Sequence, residues 1–151
     1  MKLSVRVTGP AGLGVNSLAH IIGSITAKLG YFVLSDLEYE SRIKGGVNYF
    51  DFHISDQGEY LSKNVDIILA FDKNSLLQQI PFLKSQGVVI ANTRVLKMCK
   101  KDLETREDIQ TIALESREKF DNVGLLALFG KLTQLDINLI TEELEDVFAK
   151  K

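Results

Sequence analysis

The amino-terminal segment constrains this chain more than any other stretch. Leu3–Val7 alternates apolar and polar residues with the period of a half-buried strand. A glycine-rich turn follows, Gly9-Pro10-Ala11-Gly12-Leu13-Gly14. Val15, Leu18, Ala19, Ile22, Ile25 and Leu29 then recur at helical spacing, and Gly30 suits a helix stop. Tyr31–Leu34 reads as a second strand. Strand, glycine turn, helix and strand make a βαβ unit, the seed of a Rossmann-like layered sheet.

Beyond this unit the pattern changes. Ser35–Lys44 is polar and charged and ends in Gly45-Gly46. Val47–Ile54 alternates as a strand and stops at Ser55-Asp56-Gln57-Gly58. No crossover helix separates Tyr31–Leu34 from Val47–Ile54, so some pairing is expected to be antiparallel. Asp66–Phe71 and Gly87–Ala91 are β-branched runs typical of buried strands. Between them lies a helix over Leu76–Lys84, capped by Asn74 or Ser75 and shortened or kinked by Pro81. Lys97–Asp108 shows no period and reads as a surface excursion. Thr111–Leu114 is a last strand, with closing helices over Val123–Leu132 and Leu139–Phe148. The expected fold is α/β: one domain over residues 1–151, a three-layer α/β/α sandwich with a mixed, mostly parallel sheet.

Composition excludes several classes. Net charge is −2, which offers no basic surface for nucleic acid. The apolar runs fall short of the roughly 20 residues a membrane span requires, and Met1–Val5 alternates like a strand and lacks the apolar block of a signal peptide. The expected location is therefore cytoplasmic. Cys99 is the single cysteine, so these residues cannot form an internal disulfide or supply four cysteines to an iron–sulfur cluster. His20 and His53 stand far apart and read as structural or surface residues, and no metal site is expected.

Two segments carry candidate chemistry. In the first turn, Gly9, Gly12 and Gly14 allow positive φ and close approach of a ligand to the backbone, and the following helix favours an anion at its start. Asp36, at the end of the second strand, stands about where a dinucleotide fold keeps its ribose-binding acid. The spacing is nevertheless Gly-x-x-Gly-x-Gly, and no Lys-Ser/Thr pair follows. A structural turn, a site for a phosphate-bearing ligand and a nicotinamide or flavin dinucleotide site all remain open. The second segment runs from Glu38 to Tyr49. Arg42 and Lys44 suit carboxylate or phosphate, and Gly45, Gly46 and Asn48 suit a sharp turn into the next strand. A solvated loop of mixed charge is the plain alternative.

Together these segments resemble the gamma domain of the 2-oxoacid:ferredoxin oxidoreductases, of the pyruvate, 2-oxoglutarate, branched 2-oxoacid and indolepyruvate types. That domain opens with a strand, a Gly-x-Gly-Gly-Gln-Gly-Val turn and a helix, matched here by Gly9–Val15. Its aromatic Gly-Tyr strand is matched by Gly30-Tyr31-Phe32, and its Arg-Gly-Gly-type segment by Ser41–Gly46. Val65–Asp72, Gly87–Asn92 and Asn122–Leu132 continue the likeness. Ala11 and Leu13 replace the family's second Gly and its Gln, so any contact of that Gln is lost or replaced. A fused relative continues into its alpha part where this chain has Lys150-Lys151, which leaves a separate subunit, a fragment and a degenerate relative open.

The resemblance implies an enzyme that oxidatively decarboxylates a 2-oxoacid to acyl-coenzyme A and reduces ferredoxin. Thiamine diphosphate, Mg2+, [4Fe-4S] clusters and coenzyme A are implied for the complex, with none bound by this chain alone. The implied partners are alpha and beta subunits, a ferredoxin-like delta subunit and ferredoxin, with a homodimer as an option for the isolated chain. No catalytic residue is expected here, and the isolated chain is expected to be inactive. The chain would contribute assembly and part of the coenzyme A site through Gly9, Gly12, Gly14, Arg42, Lys44, Gly45, Gly46 and Asn48.

Overall fold

The structure is a computed structural model that describes residues 1–39, 47–117 and 120–149, with the side chains of Glu38, Tyr39 and Phe148 excepted. The elements are β1 (Lys2–Gly9), α1 (Val15–Lys28), β2 (Phe32–Tyr39), β3 (Asn48–Ser55), β4 (Val65–Ala70), α2 (Lys73–Gln79), β5 (Leu83–Asn92), α3 (Thr93–Met98), α4 (Lys100–Glu104), β6 (Gln110–Leu114), α5 (Asp121–Thr133) and α6 (Ile137–Ala149). Six strands form one sheet in the order β2-β3-β1-β4-β5-β6. β3 runs antiparallel to both its neighbours, and β1, β4, β5 and β6 run parallel. The mixed, mostly parallel sheet is thus present, with β3 inserted between the two strands of the opening βαβ unit.

Two apolar clusters hold the layers together. On one face, Val5, Val7, Phe52, Ile54, Ile67, Leu69 and Ile90 pack under α1, α5 and α6, which present Leu18, Ile22, Ile25, Leu125, Phe129 and Ile140. On the other, Ile68, Ala70, Val89 and Ala91 meet Leu76 of α2 and Val95 of α3, with Cys99 beside them. Successive residues of β4 feed opposite clusters: Ile67 and Leu69 one way, Ile68 and Ala70 the other. This explains the apolar run Ile67–Ala70, because a stretch covered on both faces has no solvent side to leave polar.

Several boundaries differ from expectation. β2 continues to Tyr39 because each residue from Phe32 onward pairs with β3, down to Tyr39 opposite Asn48; backbone pairing overrides the polar composition of 35–39. α2 is capped by Asp72, not by Asn74 or Ser75. It ends at Gln79, and Pro81 lies in a 3-10 turn over Ile80–Phe82, where its missing N–H costs nothing. Lys97–Asp108 contains helix: α3 and α4 are too short to show a period, and they are anchored by the buried Val95 and Cys99.

Candidate functional site

In this sheet the connections from β1 and β4 leave in opposite directions: α1 leads back past β3 to β2, and α2 leads on to β5. The crevice at the carboxyl ends of β1 and β4 is therefore the topological switch point, where open α/β sheets usually bind ligands. The glycine turn lies here. Gly9 is buried, and a Cβ on it would lie 2.8 Å from Phe71 Cβ and 3.0 Å from Val15 Cγ2. Gly12 and Gly14 have φ of 92° and 90°, so both need glycine's freedom. A Cβ on Gly14 would also come within 2.9 Å of Asn122 Nδ2. Gly9 and Gly14 are thus required by packing, while Gly12 faces open space.

Three strand-to-helix junctions line this edge, and they differ. Asp72 caps α2 by accepting from the backbone N–H groups of Ser75 at 3.2 Å and Asn74 at 3.3 Å, and from the Ser75 hydroxyl. Asn92 caps α3 by accepting from the Arg94 N–H at 2.9 Å. Its amide donates to Asp121 Oδ1 at 3.0 Å, and the Ser116 hydroxyl donates to that same oxygen at 2.5 Å. The carboxylates of Asp72 and Asp121 are therefore committed to donors of the fold. α1 differs from these two in having no side-chain cap, its N-cap being Gly14, and α5, which follows β6, also starts without one. An uncapped start suits an anion. The hollow at this point is small, about 90 Å³, and lined by Leu13, Phe71, Asp72, Asn92, Arg94 and Asp121. It has room for a phosphate-sized group at its edge and none for a nucleotide ring inside.

Of the candidate residues, Gly9, Gly12, Gly14 and Asn48 come together. Asn48 pairs with Gly9 across β3 and β1, and its carbonyl accepts the Thr8 hydroxyl at 3.2 Å. Arg42, Lys44, Gly45 and Gly46 lie outside the described residues. Asp36 does not lie where the dinucleotide reading requires. It sits in mid-β2 opposite Asp51, and β3 separates it from β1 and the glycine turn. His20 is exposed on α1, and His53 is buried in β3 with Nδ1 3.2 Å from Ser4 Oγ. Burial pushes the Cys99 thiol pKa up, away from reactivity. Among the described residues, no three His, Cys, Asp or Glu side chains gather as metal ligands, and no helix is long and apolar enough to cross a membrane.

A buried polar network was missed by sequence reasoning. Arg6 Nε and Nη2 donate to the two oxygens of Asp51 at 2.6 and 2.5 Å, and Nη1 donates to Gln79 Oε1 at 2.6 Å. The guanidinium lies 4.1 Å from the Tyr49 ring centre and 5.0 Å from that of Phe82. The signal was a charge within each of two otherwise ordinary alternating strands. A larger apolar cavity of about 380 Å³, lined by Leu3, Ile67, Val88, Phe129 and Leu135, lies toward the amino ends of β1, β4 and β5, away from the switch point.

The fold and the switch-point turn define a Rossmann-like α/β domain whose glycine loop is built for close packing and leads into a helix start without a side-chain cap. The chain belongs to the pyruvate ferredoxin/flavodoxin oxidoreductase family, which its sequence matches over residues 4–151. It is 34% identical over 96 residues to the 2-oxoacid:ferredoxin oxidoreductase subunit alpha of Sulfolobus sp, which covers 63% of this chain and 15% of that relative. A second alpha subunit, from Aeropyrum pernix, is 29% identical over 91 residues, 60% of this chain and 14% of the relative. The chain thus spans about a seventh of the curated relatives it matches. In structure it resembles the gamma subunit of a keto/oxoacid ferredoxin oxidoreductase from Geobacter sulfurreducens (TM-score 0.75, 18% identity, 95% of this chain and 85% of that one). It also resembles part of the 2-oxoglutarate:ferredoxin oxidoreductase of Magnetococcus marinus, solved with 2-oxoglutarate, coenzyme A and succinyl-CoA (TM-score 0.80, 19% identity, 99% of this chain and 27% of that one).

Proposed function

We propose that this chain is the gamma-type subunit or domain of a cytoplasmic 2-oxoacid:ferredoxin oxidoreductase, which converts a 2-oxoacid to acyl-coenzyme A and passes electrons to ferredoxin. The observation that carries this reading is the family match across residues 4–151. In the assembly, thiamine diphosphate with Mg2+ would form the carbanion and [4Fe-4S] clusters would carry electrons, held by alpha, beta and delta partners. One cysteine in 151 residues is consistent with that division. This chain contributes assembly surface and a phosphate contact of coenzyme A at the Gly12–Val15 helix start. The open N–H groups there suit a phosphate, and the 90 Å³ hollow leaves the adenine outside.

The test is reconstitution with the partner subunits, followed by assay of acyl-coenzyme A formation. Leu13 is 49% exposed at the crevice, and Leu13→Asp adds a negative charge beside the helix start. We expect a severalfold rise in KM for coenzyme A with kcat and assembly unchanged. Arg42→Ala with Lys44→Ala tests the second loop in the same assay. Unchanged KM in all of these variants removes the coenzyme A contact. A chain that joins no thiamine-dependent partner, or is recovered only as a homodimer, removes the subunit reading itself.

A further inference from the structure

The helix layers cover the sheet unevenly. On the face that carries α2 and α3, those helices pack against β1, β4, β5 and β6, and among the described residues no helix packs over β2 and β3. The strand register fixes what faces outward there: Asp36 lies opposite Asp51, which lies opposite Arg6, and Leu34 lies opposite His53, which lies opposite Ser4. An open hollow of about 430 Å³ runs over Arg6, Asp36, Asp51 and His53, bordered by Tyr49, Lys63 and Phe82.

Most of the polar groups in this hollow are already used. Both oxygens of Asp51 accept from Arg6, and the remaining Arg6 amine donates to Gln79. Asp36 is different: it is exposed and has no ion-pair or hydrogen-bond partner among the described residues. Lys63 also lines the hollow and makes no ion pair there among the described residues.

β2 is also the end of the sheet. Among the described residues, its outer row of backbone N–H and C=O groups has no neighbouring strand. Exposed strand edges are normally blunted by lysine, proline, a bulge or shortness. Phe32–Tyr39 contains no Lys, Arg or Pro, pairs with β3 without a register break over eight residues, and exposes 54% of Phe32 and 38% of Leu37. The opposite edge, β6, has five residues.

We propose that β2 is an open strand template, extended by an extended segment of a partner subunit that carries a basic side chain toward Asp36. This rests on the subunit reading above. Main-chain hydrogen bonds to the β2 edge supply affinity, and a Lys or Arg on alternate positions supplies specificity against Asp36. Apolar residues of the segment cover Phe32 on the helix-free face and Leu37 on the α1 face. A second copy of this chain is the poorer occupant: β2 has Asp36 and Glu38 and no cation, so two β2 strands bring together acidic edges.

The test is amide hydrogen exchange of the full chain, alone and in the assembly purified with its partner subunits. Outward-facing β2 amides are expected to slow at least tenfold on assembly, with β6 amides unchanged. Asp36→Lys is expected to weaken assembly about tenfold or more without lowering the melting temperature of the free chain. Thr111→Lys, on β6, is the control expected to have no effect. An assembly that forms while its β2 amides exchange as fast as in the free chain overturns the proposal and leaves the subunit reading intact. Full assembly of Asp36→Lys at wild-type affinity also overturns it. A chain that joins no partner removes the subunit reading, and this proposal with it. Protection of β2 in a self-dimer of the isolated chain, unaltered by Asp36→Lys, assigns the edge to a second copy and overturns the basic-segment reading.

Discussion

The two halves of this sheet are built on different physics. Around β4 and β5 both faces are apolar, and Ile68, Leu69, Val89 and Ile90 are fully buried between two helix layers. Around β1 and β3 one face is apolar and the other holds Ser4, Arg6, Thr8, Asp51, His53 and Ser55, all buried or nearly so. The first half obtains stability from removing area from water, about 25 cal/mol per Å². The second half sets charges against each other in a place where each alone is costly.

The Arg6–Asp51 pair gives the sharpest way to break that comparison. Arg6→Met leaves a buried carboxylate without its partner and is expected to cost about 3–5 kcal/mol. Arg6→Met with Asp51→Leu replaces the pair by apolar groups and is expected to recover most of that loss. Urea unfolding of the single and double variants measures both. If the double variant is as unstable as the single, the polar half is stabilising in its own right, and the contrast drawn above fails.

On the apolar side, Leu76→Ala removes a fully buried side chain from the second cluster and is expected to cost about 2–5 kcal/mol, read as a lower urea midpoint. No second substitution on this half is expected to compensate as Asp51→Leu does for Arg6, because the loss is area and cavity, not an orphaned charge. At the glycine turn the expected effects are smaller and unequal. Gly14→Ala meets both a left-handed φ of 90° and Asn122 at 2.9 Å, and is expected to cost about 1–3 kcal/mol. Gly12→Ala meets only the φ of 92° and is expected to cost about 1 kcal/mol. Equal melting temperatures for the two variants would show that the Asn122 contact is soft.

The sequence was most legible where one periodicity ruled. β1, the glycine turn and α1 announce themselves, because apolar spacing, turn residues and helix stop agree over Leu3–Gly30. β4 and β5 were legible as buried strands from their β-branched runs. β2 beyond Leu34 was not, since Ser35, Asp36 and Glu38 look like loop until β3 is known to pair with them. The insertion of β3 between β1 and β2 is likewise a long-range fact, and it is what separates Asp36 from the glycine turn. Arg6 and Asp51 lie far apart in the chain and meet only through the register of β1 on β3. The candidate site was legible as a turn with special φ. That α1 lacks the side-chain cap of α2 and α3 could be seen only from the side-chain positions.

The smallest expected effect concerns pH and separates the two faces once more. Burial lowers the pKa of His53 below 6.5 on the polar face, where Asp51 and Asp36 oppose the shift and Arg6 and Lys84 reinforce it. The unfolded chain then binds a proton more readily than the folded one, so stability falls as pH drops through 6.5 toward the lower folded value. On the helix-covered face the Lys28 ammonium beside Glu143 holds that carboxyl below its ordinary 4.5. Its contribution is intact above pH 4.5 and is lost only as the pH falls through the lowered folded value. A series of urea midpoints from pH 7.5 to 4 therefore reads the polar face first. His53→Gln is expected to flatten the slope just below pH 6.5 and leave the part below 4.5 unchanged, whereas Glu143→Gln is expected to do the reverse. A slope just below 6.5 that survives His53→Gln would mean that the buried histidine shares its proton with the solvent as freely in the fold as outside it, and that the polar face is wetter than its packing indicates.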